Sequence, residues 1–251
     1  RRICPVSRKS KDSRSNTSTK PSSVRTWIEI ESNAFRHNTE EFLKLISPKT
    51  HFMAVIKSNA YGHGLSLVGT MLRKYPRAWI GVDSITEALR IRHDGLTNSM
   101  LVLGHTLPSR IEDARRAGIA ITVSQFETLA DLAKRHARPA FHLKIDTGMH
   151  RQGFVPEDFP RVIGMLRRAH LVPEGIYTHF AAAKDNKAPA YTHMQTCAFK
   201  DAITIMNDAG FSRMITHAAA SGATLLFPET HFDMVRIGMG LYGYWPSAEA
   251  A

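Results

Sequence analysis

The chain has 251 residues, of which 43% are hydrophobic and 22% charged, a composition that excludes a wholly disordered protein. No apolar run of about eighteen residues occurs, so the sequence predicts no membrane-spanning helix. Two cysteines are too few for a disulfide framework or a four-ligand zinc site. Residues 1–26 hold eight Lys/Arg and one acid, so they carry +7 of the net charge of +11. The remaining body is only mildly basic, which favours a phosphate-bearing ligand weakly and argues against a nucleic-acid surface.

Residues 1–24 are rich in Ser, Thr, Lys and Arg and have almost nothing to bury. This composition predicts a disordered basic tail. A transit peptide, which is also Arg- and Ser-rich and poor in acids, fits the same segment, as does a linker from an upstream region. The chain does not begin with Met, which is typical of a fragment.

From Thr26 onward, apolar runs alternate with longer amphipathic stretches. An opening run at 27–30 and a helical stretch near 33–46 come first. Most of the later runs are continuous rather than alternating, which is typical of strands buried on both faces. Eight strands are predicted, at 52–56, 79–82, 101–103, 120–123, 141–145, 175–177, 214–216 and 233–236.

Helix-length segments separate these strands, the clearest at 85–92, 108–117, 125–135, 156–168 and 190–209. Ser84 and Ser124 precede two of them, with Glu87 and Glu127 three residues later, which is the spacing of a capping box. Eight strands alternating with helices predict an α/β fold, a (β/α)8 TIM barrel. A doubly wound sheet is the competing architecture, because periodicity alone does not distinguish the two.

Active sites of such barrels lie at the carboxyl ends of the strands. Polar and glycine-rich segments follow five of the predicted strands, at 57–64, 146–151, 179, 217–222 and 236–243. Lys57 ends the apolar run of the first strand, where partial desolvation favours the neutral amine that forms imines. A lysine that only extends from a strand end to solvent is the alternative. The following Tyr61-Gly62-His63-Gly64 favours a site, since glycines let the backbone approach a ligand closely.

The segment Gly238–Gly243 matches the G-x-G-x-x-G pattern of a dinucleotide site. That pattern belongs at the start of its unit with an acidic residue about 20 positions later, and here the chain ends first. A phosphate cup after strands seven and eight, shared with Ser221 and Gly222, explains the glycines better. A tight turn without a ligand is the remaining alternative. The 13 histidines show no metal-binding spacing, so no metal site is expected.

Six segments closely resemble the alanine racemase family, over roughly residues 25–247: 54–64, 143–151, 177–181, 217–221, 231–236 and 241–243. The resemblance implies a barrel at 25–251 that binds pyridoxal 5′-phosphate, followed in the family by a C-terminal β-domain that is absent here. It implies the interconversion of L- and D-alanine for peptidoglycan by a cytoplasmic homodimer. The family takes its second base, a tyrosine, from that domain of the other subunit, and neither Tyr242 nor Tyr244 matches it.

The resemblance also implies roles for individual residues. Lys57 is similar to the lysine that holds the cofactor as an imine and acts as one of two bases, and Tyr61 to the tyrosine beside the phosphate. Arg151 is similar to the arginine near the cofactor's phenolic oxygen and the substrate carboxylate. Lys144 is similar to a lysine that is carbamylated in many members and steadies that arginine.

Three further matches surround the pyridine ring. His179 is similar to the histidine packed against the ring, and Arg236 to the arginine that faces its nitrogen. His217 is similar to the histidine that supports this arginine. Since an arginine donates but does not accept, it disfavours a proton on that nitrogen and makes the ring a weaker electron sink, which suits racemisation. The phosphate-binding set is matched by Ser221, Gly238 and Met239.

Three alternatives remain open from the residues. A broad-specificity amino-acid racemase would share the same motifs. A barrel that binds the cofactor but is inactive without its C-terminal domain would share them too. A nicotinamide-dependent oxidoreductase would instead use the glycine-rich segment at 238–243.

Overall fold

The computed structural model describes residues 29–184, 189–245 and 247. The predicted tail at 1–24 and the start of the opening run at 27–30 lie outside the described residues. Residues 29 and 30, the described end of that run, are not part of a strand.

Eight parallel strands form the centre of the molecule, and each lies within one residue of its predicted position. Their buried, continuous apolar sequences are the ones expected for strands covered on both faces. The strands are β1 His51–Val55, β2 Trp79–Val82, β3 Met100–Val102, β4 Ala120–Val123, β5 Phe141–Lys144, β6 Gly175–Tyr177, β7 Ile215–His217 and β8 Met234–Ile237.

The sheet order makes the first and last strands neighbours, since β1 pairs with β2 on one side and with β8 on the other. Bonds outside the regular ladder join β7 to β8. Asp233 N donates to Thr216 O over 3.0 Å, and the Thr216 amide donates to the Asp233 carboxylate over 2.9 Å. Arg236 N donates to Ala219 O over 3.0 Å. The predicted (β/α)8 barrel is therefore confirmed over the doubly wound sheet.

Helices surround the strands, and the longer ones follow the predicted segments. They are α1 Ser32–Leu45, α2 Leu65–Leu72, α3 Ile85–His93, α4 Ile111–Arg116, α5 Phe126–Ala133, α6 Phe159–Arg168, α7 Pro189–Asp208 and α8 Ser221–Leu226. Short 3-10 turns, at Pro108–Arg110 and Pro156–Asp158, precede α4 and α6. No helix in this described part of the chain is both long and apolar enough to cross a membrane.

The two predicted capping boxes have different outcomes. Ser84 caps α3, because its hydroxyl accepts the backbone N–H of Glu87 at 3.3 Å. The prediction at Ser124 is wrong: α5 begins one residue later, after Gln125, and no side chain caps it. The Ser124 hydroxyl instead accepts the amide of Gln152 at 2.9 Å. A contact from a distant loop therefore replaces the local cap.

Helix α1 precedes β1 in the chain and packs over the end of β8. Asn38 Nδ2 donates to Leu241 O over 3.1 Å, and Phe42 is 1% exposed. A Cβ atom on Gly240 would lie 2.5 Å from the Phe42 ring, so only glycine lets the two segments approach this closely. The outer face beside β8 is thus covered by α1.

The inside of the barrel is divided between apolar and polar layers. An apolar cluster, separate from the main core between strands and helices, consists of Met53, Val55, Trp79, Leu101, Ala120 and Met234. Strands β4 to β8 add buried polar side chains, namely Thr122, His142, Lys144, Tyr177, His217 and Arg236. Lys144, Tyr177, His217 and Arg236 lie toward the carboxyl ends of the strands, where a barrel carries its site, whereas His142, level with Gly175 at the start of β6, lies deeper in the barrel.

We expect Phe42→Ala to lower the free energy of unfolding by about 3–5 kcal/mol, because it leaves a cavity between α1 and Gly240. Leu43→Ala is the matched control, since Leu43 is the next residue and is 37% exposed. It should cost less than about 1 kcal/mol. Denaturant unfolding of both variants measures the difference, and equal losses would contradict the packing of α1 on this segment.

Candidate active site

A cavity of about 590 Å³ opens at the carboxyl ends of the strands. Among residues 29–184 and 189–245, its lining is strongly positive, with one carboxylate, that of Asp83, against five cationic side chains, those of Lys57, Lys144, Arg151, Lys184 and Arg236. Nine of the ten residues marked in the sequence line it: Lys57, Tyr61, Lys144, Arg151, His179, Ser221, Arg236, Gly238 and Met239. The tenth, His217, is fully buried beneath the cavity.

Lys57 follows β1 and opens a left-handed turn. Ser58, Asn59, Ala60 and Tyr61 all have φ between 53° and 56°. Such a conformation costs an L-residue roughly 1–2 kcal/mol. Four in succession persist only where neighbouring groups hold them, so the lysine is presented by a strained segment.

The Glu87 carboxylate holds this turn. Its Oε1 accepts the backbone N–H of Asn59 at 2.9 Å, and its Oε2 accepts that of Asp83 at 2.9 Å. The Asn59 side chain in turn accepts the N–H of Leu65 at 2.8 Å. The sequence marked Glu87 only as the partner of Ser84 in a capping box. Its contact with Asn59 joins helix α3, and through Asp83 the end of β2, to the lysine-bearing turn, and no local pattern signals it.

The Lys57 amine is accessible from the cavity. Its Nζ lies 3.7 Å from Asp83 Oδ1, and the two side chains are 37% and 57% exposed. An ion pair this exposed contributes little to stability. The amine therefore lies beside the cavity and is held there only by a weak, exposed ion pair.

Arg236 is buried in the barrel, with 3% of the residue exposed. Its Nη2 donates to Thr178 O and Ala218 O, both at 2.8 Å, and lies 3.2 Å from His179 Nδ1. Its Nη1 donates to His217 Nδ1 over 2.8 Å. Burial lowers the pKa of Arg236 to about 10, so the guanidinium stays protonated at neutral pH.

The two histidines beside Arg236 are neutral. Burial, followed by the charge of Arg236, lowers the pKa of His179 to about 3. The same two causes lower the pKa of His217 well below its usual value. His217 therefore offers an unprotonated Nδ1 to the guanidinium, as its hydrogen bond requires, whereas His179 Nδ1 lies near an Nη2 whose two hydrogens are donated to the Thr178 and Ala218 carbonyls.

Lys144 lies 5% exposed at the end of β5, where its Nζ donates to Gln152 Oε1 over 3.1 Å. The Gln152 amide is held in turn by Ser124. Burial, and then the positive charges of Arg151 and Arg236, lower the pKa of Lys144 to about 8. A substantial fraction of this amine is therefore neutral in mildly alkaline solution.

The loop that carries Arg151 is organised by the Asp146 carboxylate. Its Oδ1 accepts three backbone N–H groups, from Gly148, Met149 and His150, at 2.9 to 3.1 Å. Its Oδ2 accepts the N–H of Arg151 itself at 3.2 Å. Asp146 thereby fixes the backbone from which Arg151 extends at the rim.

The segment after β8 and the start of α8 meet at one side of the cavity. The Ser221 hydroxyl accepts the N–H groups of Gly238 and Gly240 at 3.1 and 3.3 Å. Since both acceptor positions are used, its remaining capacity is that of a donor. A Cβ atom on Gly238 would lie 2.5 Å from the Tyr61 hydroxyl oxygen, so the Tyr61 ring keeps this position only with glycine at 238. This arrangement forms a small polar cup in the wall of the cavity.

Tyr177 is a lining residue to which the sequence assigned no role, although it lies in the segment 177–181. Its hydroxyl is 2.9 Å from Thr122 Oγ1, and its ring is stacked on His217 with the centroids 4.6 Å apart. Burial raises the pKa of Tyr177 to about 12, so the phenol stays protonated. It supports the polar layer and is a poor base.

Residues 30–246 match the family model described as alanine racemase, N-terminal domain. The chain belongs to this family. An alanine racemase of Leptospira interrogans is 37% identical over 240 residues, which cover 95% of this chain and 62% of that protein. An alanine racemase of Desulforamulus reducens is 37% identical over 229 residues, covering 89% and 62% of the two proteins.

Solved structures give the same relationship. The alanine racemase of Bacillus anthracis with bound L-Ala-P is 32% identical, with a TM-score of 0.83 over 89% of this chain and 59% of that one. The alanine racemase of Clostridium difficile 630 is 32% identical, with a TM-score of 0.79 over 86% and 57%. The chain thus spans about three fifths of the length of the relatives it matches.

We expect Glu87→Gln to destabilise the protein by about 1–3 kcal/mol. The two carboxylate oxygens accept one N–H each, from Asn59 and Asp83, but an amide has a single oxygen, so one of these N–H groups would face an NH2 group that cannot accept. Glu127→Gln is the matched control, since Glu127 follows Ser124 by three residues, as Glu87 follows Ser84, and is exposed. Denaturant unfolding compares the two. A loss no larger than that of the control would mean that the turn holds itself without Glu87.

Proposed function

We propose that this chain carries the cofactor-binding barrel of an enzyme that interconverts L- and D-alanine with pyridoxal 5′-phosphate. The observation that carries the proposal is one positively charged cavity that brings together an accessible amine on Lys57, a buried guanidinium on Arg236 and the cup at Ser221. Membership of the alanine racemase family supports it. In a cytoplasmic setting the product D-alanine would enter peptidoglycan precursors.

The residues present fit pyridoxal phosphate. The described lining, with five cations and one carboxylate, favours a ligand with several negative charges. The Ser221 hydroxyl is free to donate to a phosphate, and the absence of a side chain at Gly222 lets the Ala183 carbonyl pack closely against the start of α8, since a Cβ there would lie 3.0 Å from Ala183 O. We therefore assign the phosphate to the cup with Ser221, Gly238, Met239 and the Tyr61 hydroxyl.

When bound, the cofactor supplies an electron sink that makes the α-proton of an amino acid acidic. Arg236 faces the pyridine nitrogen in this assignment, supported from beneath by His217, and it can only donate a hydrogen bond. It would disfavour a proton on that nitrogen and so moderate the sink. We assign His179, which is neutral and 3.2 Å from Arg236, to the packing of the ring.

Lys57 is proposed to hold the cofactor and to move the proton at the α-carbon from one face. Inversion needs a second base on the other face. Tyr177 does not suit this role, because its phenol is engaged by Thr122 and its pKa is about 12. We propose that a homodimer supplies that base from the partner subunit.

Arg151 is assigned to the substrate carboxylate, because Asp146 fixes its backbone at the rim of the positive cavity. We assign Lys144 to hold the Arg151 guanidinium in place once its amine has reacted with carbon dioxide. The neutral amine would add to the carbon of CO2 and lose one proton to form a carbamate anion near Arg151; starting from the ammonium form, two protons would be released in all. A carbamate would thus remove the repulsion between two cations and orient the guanidinium.

The racemase proposal is tested with protein loaded with pyridoxal phosphate and given D-alanine in deuterated water. We expect the α-proton to exchange, because the Lys57 amine lies beside the cavity. Proton NMR measures the exchange, and chiral chromatography measures the product. Lys57→Ala should abolish both the exchange and the visible absorbance of the loaded protein, whereas Lys49→Ala, at an exposed lysine, should change neither.

Exchange with inversion would mean that both bases are present, and exchange with retained configuration would mean that Lys57 works alone. A visible band without exchange would leave a cofactor-binding barrel. Exchange that is equally fast with larger amino acids would favour a broad-specificity racemase. No band at all, with binding of a nicotinamide cofactor instead, would overturn the proposal.

The carbamate at Lys144 is tested with ¹³C-labelled bicarbonate. Because its pKa is lowered to about 8, the amine becomes neutral as the pH rises through that value. We expect one carbamate signal in the ¹³C spectrum that grows between about pH 7 and 9. Lys144→Gln should remove the signal and Lys49→Gln should leave it; a signal that survives in Lys144→Gln would assign it to another lysine.

A further inference from the structure

A line of polar side chains runs from the cavity down through the barrel. Arg236 Nη1 lies 2.8 Å from His217 Nδ1, and His217 Nε2 lies 2.9 Å from His142 Nδ1. His142 Nε2 lies 3.4 Å from Glu174 Oε2. Both histidines are fully buried, whereas the Glu174 side chain is 39% exposed at the amino end of β6. The line therefore joins the floor of the cavity to a carboxylate at the opposite end of the barrel.

The fold makes room for this line. A Cβ atom on Gly175 would collide with the His142 ring, so the ring occupies the space of the missing side chain. The Glu174 backbone is tied to both neighbouring strands, since its N–H donates to Phe141 O and its carbonyl accepts from Ile215, each at 2.9 Å. The His142 ring and the Glu174 backbone are thus both fixed by β-sheet packing.

The two hydrogen bonds of the line point in the same direction, and its last step, from His142 Nε2 to Glu174 Oε2 at 3.4 Å, is a longer polar approach without hydrogen-bond geometry. Arg236 can only donate, so His217 Nδ1 accepts and the His217 proton is on Nε2. That proton is donated to His142 Nδ1, which places the His142 proton on Nε2, facing Glu174. Burial lowers the pKa of both histidines, which keeps each ring neutral with a single N–H. The two ends, a cation and a carboxylate, therefore determine both tautomers.

The line also explains how the Arg236 charge is tolerated. The hydrogen-bond partners of its guanidinium in the described chain are carbonyl oxygens and imidazole nitrogens. A buried cation without a counterion is costly. Polarisation along a chain of hydrogen bonds strengthens each member, so the distant Glu174 makes His217 Nδ1 a stronger acceptor for Arg236.

We propose that Glu174 and His142 are positioning residues that act through His217 on Arg236. Arg236 sets the tautomer of His217, whereas His142 accepts the His217 proton and Glu174 faces the N–H of His142. Together the two residues orient His217 and strengthen it as an acceptor, and so set the orientation and donor strength of the guanidinium toward a bound pyridine nitrogen. The role toward a bound pyridine nitrogen rests on the proposed function, whereas the tautomers of the two histidines follow from contacts within the chain. Trp79, whose ring centroid is 5.6 Å from that of His142, and Tyr177, stacked on His217, hold the ring planes in place.

The experiment compares Glu174→Gln with Glu229→Gln, a matched control. Glu229 also contacts a histidine, His193 at 3.8 Å, but both side chains are about half exposed. Long-range ¹H–¹⁵N NMR of the imidazoles, on protein without cofactor, reports the protonated nitrogen of each ring. In the wild type we expect His217 and His142 each in a single form with the proton on Nε2. In Glu174→Gln we expect shifted or mixed His142 and His217 signals, and in Glu229→Gln we expect them unchanged.

The second measurement uses the loaded protein and D-alanine in deuterated water. Glu174→Gln should slow α-proton exchange at saturation by about tenfold, with little change in the half-saturating D-alanine concentration. Its visible band should titrate at a different pH from that of the wild type. A merely structural role would lower the melting temperature and leave the imidazole signals and the titration unmoved.

The possible outcomes test the relay, the positioning role and the proposed function separately. Imidazole signals identical in Glu174→Gln and wild type overturn the relay, whether or not cofactor binds. Altered tautomers with unchanged exchange and titration overturn the positioning role. A wild type that binds no pyridoxal phosphate overturns the proposed function and the positioning role with it, while the NMR spectra still decide the tautomers. His142→Gln, which breaks the line at its buried centre, should alter the His217 signal as Glu174→Gln does.

Discussion

Arg236 carries a positive charge into the interior of a parallel barrel, and the residues around it are arranged to tolerate that charge. Two backbone carbonyls at Thr178 and Ala218 and the imidazole of His217 accept its protons. Because the guanidinium cannot lose its proton near neutral pH, its neighbours must be acceptors, and burial keeps His179 and His217 neutral. The state of each ring therefore follows from one fixed cation.

The strands could be predicted from the sequence because each is a short apolar run buried on both faces. The number of strands predicted the barrel, but periodicity alone did not exclude a doubly wound sheet, since closure depends on contacts between segments that no periodicity reveals. The decisive bonds join Thr216 to Asp233 and Ala219 to Arg236, across β7 and β8. The position of α1 over the end of β8 likewise depends on the absence of a side chain at Gly240.

The residues marked at the rim lie together because the carboxyl ends of parallel strands meet. Residues that support them were missed, since the partner of a polar side chain is set by tertiary approach. Ser84 and Ser124 show this directly: the two have the same spacing to a glutamate, yet only Ser84 caps its helix. Gln152 reaches Ser124, and Asn59 reaches Glu87, from 28 positions away in each case.

Within the proposed function, the strained left-handed backbone after Lys57 restricts where the lysine can reach. A lysine on a relaxed strand end would sample many directions, whereas a left-handed turn held by Glu87 restricts the backbone from which it extends. The amine remains accessible because its partner Asp83 is itself exposed. A base confined in this way acts on one face of a bound substrate only. Inversion then requires a group that approaches from the opposite side, and the protonated phenol of Tyr177, fixed in the barrel by Thr122, cannot replace it.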